Sequence, residues 1–101
     1  MSTPTTSTTV TLTGRIDRDA AHMLETAWTD ATTDGPTDVV LDFAEVDYIN
    51  STGIALVVGL LSRARVAGIR LSAVGLTAHY RHIFEITRLS DYIEILPDPG
   101  D

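Results

Sequence analysis

The stretch from Val39 to Gly68 constrains this chain most. It reads VVLDFAEVDYINSTGIALVVGLLSRARVAG: a compact hydrophobic strand, a short acidic connection, a polar tetrad, then a long apolar helix closed by glycine. Val39, Val40, Leu41 and Phe43 form the β-branched-rich run expected of a strand buried on both faces. Asn50, Ser51 and Thr52 stand just before the next apolar period, where a helix needs side-chain oxygens for its first unpaired N–H groups. Either Asn50 or Ser51 can be the cap; with Asn50, Ile49 and Ile54 take the two positions of a hydrophobic staple. In both registers Ser51 lies in the first turn, at the positive end of the helix dipole. Beside it Gly53, with no side chain, leaves room for a partner to approach the backbone. A phosphate on Ser51 gains N–H donors there and adds about two negative charges to an acidic surface, which makes the position a plausible switch.

The helix that follows, from about Thr52 to Ala67, places Ile54, Val57, Leu60, Leu61 and Ala64 on one stripe. Opposite lie Thr52, Ala55, Gly59, Ser62 and Val66, a small-residue face with almost no charge, unlike an ordinary solvated helix. Such a face beside a polar tetrad suits another protein's surface. Arg63 and Arg65 sit near the end of the helix, first as dipole partners and second as contacts for an acidic partner.

Around this centre the elements alternate. Residues 1–8 read as a Ser/Thr/Pro arm, residues 9–97 as one domain and residues 98–101 as an acidic tail. Val10 and Leu12 alternate with Thr in a strand ending at Gly14. Asp17 or Asp19 then caps a helix with Ala20, Met23, Leu24, Ala27, Trp28 and Ala31 inward, Trp28 filling the core beside the sheet. The central strand spans Asp38 to Phe43. After Gly68 come a strand at Ile69 to Val74 and a helix capped by Thr77. That helix has Tyr80, Ile83, Phe84 and Thr87 inward and His79, Arg81, His82 and Glu85 outward. Tyr92, Ile93, Ile95 and Leu96 supply a last short strand. Strands separated by helices imply right-handed crossovers, hence an α/β fold with about four strands in a largely parallel or mixed sheet and three main helices mainly on one face.

Several chemistries have little support in the sequence. A net charge of −7, with cations supplied by Arg alone, argues against nucleic-acid binding through phosphate neutralisation and favours a partner with a basic patch. No run approaches the ~20 apolar residues of a membrane span, so no direct membrane insertion is expected. Absent Cys excludes disulfides, thiol catalysis and thiolate metal sites, and suits a reducing cytoplasm. His79 and His82 are one turn apart but lack a third ligand nearby, and Asp42, Glu45 and Asp47 read as an acidic loop rim, so neither a metal nor a cofactor is expected. Ser51 has no neighbouring motif that brings a His to it, so no catalytic residue is assigned and the chain reads as non-enzymatic.

Four ordered segments resemble the STAS domain, and specifically the bacterial anti-sigma factor antagonists. Leu12-Thr13-Gly14-Arg15-Ile16-Asp17 is similar to the family's strand end. Val40 to Phe43 through Tyr48-Ile49 is similar to its central strand and connection. Asn50-Ser51-Thr52-Gly53 with Ile54, Ala55 and Leu56 is similar to its Asp-Ser-Ser/Thr-Gly segment, and Phe84 to Leu89 to a late segment that usually carries Gly where this chain has Arg88. The resemblance implies a partner-switching protein. An anti-sigma factor that is also a serine kinase phosphorylates the Ser after the Asp; the unphosphorylated antagonist binds that factor and frees a sigma factor; a phosphatase restores the binding form. Matched residue by residue, the phosphoacceptor is Ser51, with Thr52 as runner-up, and Asn50 replaces the usual Asp while keeping capping geometry. The expected partner surface is Asn50, Ser51, Thr52, Gly53, Ala55, Leu56, Gly59, Ser62 and Arg63. Two alternatives stand beside this: a STAS scaffold or transport-accessory subunit that docks without phosphorylation, and a small-ligand module using loops beyond the carboxyl ends of the strands.

Overall fold

The computed structural model describes residues 6–97. Four parallel strands, β1 (Ser7–Ile16), β2 (Asp38–Ile49), β3 (Arg70–Val74) and β4 (Glu94–Ile95), lie side by side in chain order. Between them run α1 (Ala21–Thr32), α2 (Ser51–Ala67) and α3 (Ala78–Ile86), with short 3₁₀ turns at Arg18–Ala20 and Leu89–Asp91. Because each strand is added on the same side of the last, right-handed crossovers carry all three helices over one face of the sheet. The expected α/β architecture is the one observed.

That face holds a single core. Val10, Leu12 and Ile16 of β1 meet Val39, Leu41 and Phe43 of β2, covered by Leu24, Trp28 and Ala31 of α1 and by Val57, Leu60, Leu61 and Ala64 of α2. Phe84 of α3, fully buried, sets its ring edge-on to Phe43 with centroids 6.0 Å apart. On the other face of the sheet Thr9, Thr11 and Thr13 are exposed, and Val40 and Asp42 are only half-buried. The hydrophobic run at Val39 is therefore fully buried on one face only: a sheet with all its crossovers above it leaves much of its underside to water, although Ser72 of β3, opposite the core face of Leu71 and Ala73, is buried.

Several boundaries differ from the sequence reading. β1 starts at Ser7, with Thr6 already bonded to Thr37 and Asp38, so residues 6–8 belong to the sheet and not to an arm; residues 1–5 and the tail at 98–101 lie outside the described residues. At its other end β1 passes Gly14 and runs to Ile16. β2 likewise absorbs the acidic connection and continues to Ile49. Two irregularities make this possible: between Thr11 and Thr13, and again between Gly14 and Arg15, β2 contains one residue more than β1. The Asp42 carboxylate accepts the Ala44 N–H at 2.9 Å across the first of them. Each bulge bends and twists β2 without ending it, and returns Ile49 to the core. Asp42, Glu45 and Asp47 are thus strand residues, not a loop rim. On α3, Thr87 is exposed as the C-cap instead of facing inward, whereas Arg81, expected outside, is half-buried.

Candidate functional site

The carboxyl ends of β1 and β2 converge on the start of α2. Asn50 is the N-cap, and its side-chain oxygen accepts the Gly53 N–H at 2.8 Å. The first intrahelical bond follows, from the Ile54 N–H to the Asn50 carbonyl at 2.9 Å. Ile49 is buried and Ile54 half-buried against the core, as the staple requires. With Asn50 in the capping role, the Ser51 hydroxyl is not needed for it. Ser51 and Thr52 are both exposed in the first turn, and their amide groups precede the first helical bond.

The backbone beneath these hydroxyls is held by β1 and by α3. The Asn50 N–H donates to the Ile16 carbonyl of β1 at 3.3 Å. The Ile49 N–H donates to the Tyr80 hydroxyl of α3 at 2.9 Å, a bond between residues 31 apart in sequence. Gly53 is buried, and a methyl group built on it overlaps the Ile16 carbonyl oxygen and falls 2.7 Å from its carbon. The missing side chain therefore serves the chain's own β1, not an approaching partner. Gly53 is a positioning residue, and the expectation that it offers an open backbone is corrected.

Beyond the first turn, the exposed face of α2 carries Ala55, Gly59 and Ser62, with Val66 91% exposed, while Leu56 is half-buried. Arg63 is exposed but engaged: its guanidinium meets the Glu25 carboxylate of α1 at 2.8 Å. Arg65 lies over the Tyr92 ring at 5.8 Å. Next to the helix start Arg15 stacks on Tyr48, 5.0 Å from the ring centroid, with Asp17 at 3.7 Å. The sequence reading missed Arg15, Tyr48 and Tyr80; only the inward helical spacing of Tyr80 hinted at its place, and nothing local indicated its bond to β2.

Other candidates stay apart. His79 and His82 are exposed on α3, the His79 ring packing against Tyr80, and among the described residues no group of three or more His, Asp or Glu is placed to hold a metal ion. An apolar hollow of about 250 Å³ lies on the flank of α2 between Val58, Leu61, Arg65, Leu89 and Tyr92, away from Ser51 and from the strand ends. No helix of the described residues is long and apolar enough to cross a membrane.

Comparison with known proteins agrees with this geometry. The family model described as "Mlab, STAS domain" matches residues 2–97. The anti-sigma-B factor antagonist of Listeria monocytogenes is 39% identical over 61 residues, which are 60% of this chain and 54% of that protein, so the match spans about half of that relative. The anti-sigma-B factor antagonist of Staphylococcus aureus is 30% identical over 82 residues, 81% of this chain and 76% of the relative. Among solved structures, the phosphorylated form of the Bacillus cell fate determinant SpoIIAA aligns with a TM-score of 0.66 at 20% identity, covering 94% of this chain and 87% of that one. A sulfate transporter family protein from Wolinella succinogenes aligns with a TM-score of 0.74 at 14% identity, covering 92% and 80%. These two likenesses are of fold alone. With a family model matching nearly its whole length and a relative covered over three quarters, the chain belongs to the STAS-domain family, among its anti-sigma factor antagonists.

Proposed function

We propose that this protein is a phosphorylation-controlled anti-sigma factor antagonist that acts by binding, not by catalysis. Its partner is an anti-sigma factor with serine-kinase activity, its docking surface is the first turn and outer face of α2, and its phosphoacceptor is Ser51. The observation that carries this reading is the exposed Ser51 hydroxyl, free of capping duty, on a helix start whose backbone is fixed by Asn50, Ile16 and Tyr80. Around it Thr52, Ala55, Gly59 and Ser62 offer a small, neutral surface on which a partner packs closely. A phosphate placed in the middle of such a contact brings about two negative charges and bulk, and desolvating it unpaired costs several kcal/mol. About 1.4 kcal/mol suffices for each tenfold loss of affinity, so one modification separates the partners. A phosphatase then returns the chain to the binding form, and the whole cycle belongs in the cytoplasm, where sigma factors act.

Phosphate incorporation by the cognate anti-sigma kinase tests this directly. Wild type takes up one phosphate per chain, Ser51→Ala takes up none, and Thr52→Ala is labelled like wild type; undiminished labelling of Ser51→Ala removes Ser51 from the account. A second reading, docking through the same surface without phosphorylation as a scaffold or transport-accessory subunit, is favoured by Asn50. A neutral side chain there completes the cap on its own. That reading predicts no labelling of either hydroxyl and a pull-down that recovers a transport or multi-subunit partner instead of an ATP-binding kinase.

A further inference from the structure

β1 lies at one side of the sheet and, among the described residues, pairs only with β2. Thr6 directs its carbonyl to β2, accepting from Thr37 at 2.9 Å and Asp38 at 3.0 Å. With a period of two, Thr8, Val10 and Leu12 also direct their peptide groups to β2, and Ser7, Thr9, Thr11 and Thr13 direct theirs outward. The edge is regular. Both bulges in the β1–β2 ladder place their extra residue on β2, and burial alternates without a break through Val10 and Leu12; regularity ends only at Gly14, which has φ 73. The usual protections of an edge strand, a Lys, a Pro, an inward charge or a bulge in the edge itself, are all absent between Ser7 and Thr13.

We propose that this edge pairs with a second copy of the chain, two β1 strands meeting antiparallel across a two-fold axis at Val10 and joining two four-stranded sheets into one. The strand's own sequence selects this occupant, and local charge does not oppose it. Each copy carries −7, yet Ser7 to Gly14 contains no charged side chain, so two copies meet here without setting charge against charge. The sequence is also complementary to itself in this register, which uses the whole regular stretch. On the exposed face Thr9 lies opposite Thr11 of the second copy and Ser7 opposite Thr13, hydroxyl beside hydroxyl. On the core face Val10 stands in register with Val10 and Thr8 with Leu12, but Val10 and Leu12 are enclosed by their own chain, so the contact is made by the backbone and the Ser/Thr face. A contact confined to one short strand edge falls below the ~1,200 Å² of a standard stable interface, so the dimer forms in a concentration-dependent way and is not obligate. None of its residues belongs to the α2 surface, so the pairing and the switch stand or fall separately.

Sedimentation equilibrium of the full chain from about 5 μM to 1 mM tests the pairing. The weight-average mass is expected to rise from 10.9 kDa towards twice that value. Thr11→Pro, which removes an outward N–H and no bond to β2, stays monomeric across the range, with unchanged circular dichroism showing that it folds. Thr9→Lys combined with Thr11→Lys sets like charges opposite each other and abolishes the rise, although it lowers the magnitude of the net charge. Thr9→Lys combined with Thr11→Glu leaves the net charge at −7, sets opposite charges together and retains the rise. Deleting residues 2–5 leaves the rise unchanged. A wild type that is monomeric throughout, two double variants that associate equally, or a dimer lost with residues 2–5 would each overturn the proposal.

Discussion

The two glycines inside α2 do opposite things. Gly53, in the first turn, is buried against the Ile16 carbonyl, and a methyl group added there runs into backbone that belongs to another strand. Gly59, near the middle of the same helix, is exposed, and an added methyl group meets nothing within 4 Å. The first glycine is required by the fold. The second is helix-destabilising by about 1 kcal/mol relative to Ala and has no internal reason to persist. One helix is therefore built to two standards: a first turn tied to β1 directly and to α3 through Ile49, so that Ser51 is presented in one place, and an outer face kept small at a cost in stability, as a surface shaped for something outside the chain would be.

Substitutions break or sharpen this contrast, beginning with the largest effect. Gly53→Ala is expected to lower stability by roughly 2–4 kcal/mol, read by urea denaturation, because the Ile16 backbone has no rotamer by which to yield. Tyr80→Phe leaves the Ile49 N–H without its partner and costs about 1–3 kcal/mol. Its signature is local: amide exchange at Ile49, Asn50 and Ser51 speeds up more than in β3. Gly59→Ala acts in the other direction, raising stability by up to about 1 kcal/mol while weakening partner binding if the outer face is the contact. Smallest is Arg63→Ala, expected to cost about 0.5 kcal/mol or less, since the Arg63 and Glu25 side chains are 43% and 63% exposed. A partner affinity that falls with Arg63→Ala at unchanged stability assigns the arginine to the interface as well.

Much of this was readable from residue order because the signals are local. Asn50 as one of two possible caps, the one the Ile49 and Ile54 staple favours, the inward stripe of α2 and the exposed set at Thr52, Ala55, Gly59 and Ser62 all follow from a period of 3.6 and the chemistry of helix ends; the structure decides the cap for Asn50. What escaped depends on distant partners. Ala44 to Tyr48 look like a loop because acidic and small residues interrupt the apolar pattern, but two bulges let β2 carry them as strand beside β1. Gly53 looks like an opening until β1 is laid against it. Tyr80 shows only its helical spacing, and its hydroxyl finds β2 only once α3 is docked. Arg88 is the reverse case: it stands where the family usually carries Gly, and it adopts a left-handed φ of 66, a conformation that costs a non-glycine residue about 1–2 kcal/mol.

The central claim is that charge added at Ser51, and not a change in the fold, separates this chain from its partner. Titration calorimetry of the cognate anti-sigma factor against wild type, Ser51→Ala and Ser51→Asp measures it most directly, with denaturation of each variant as the control. The account predicts wild-type affinity for Ser51→Ala and a loss of tenfold or more for Ser51→Asp at unchanged stability. Equal affinities for the two variants would contradict it.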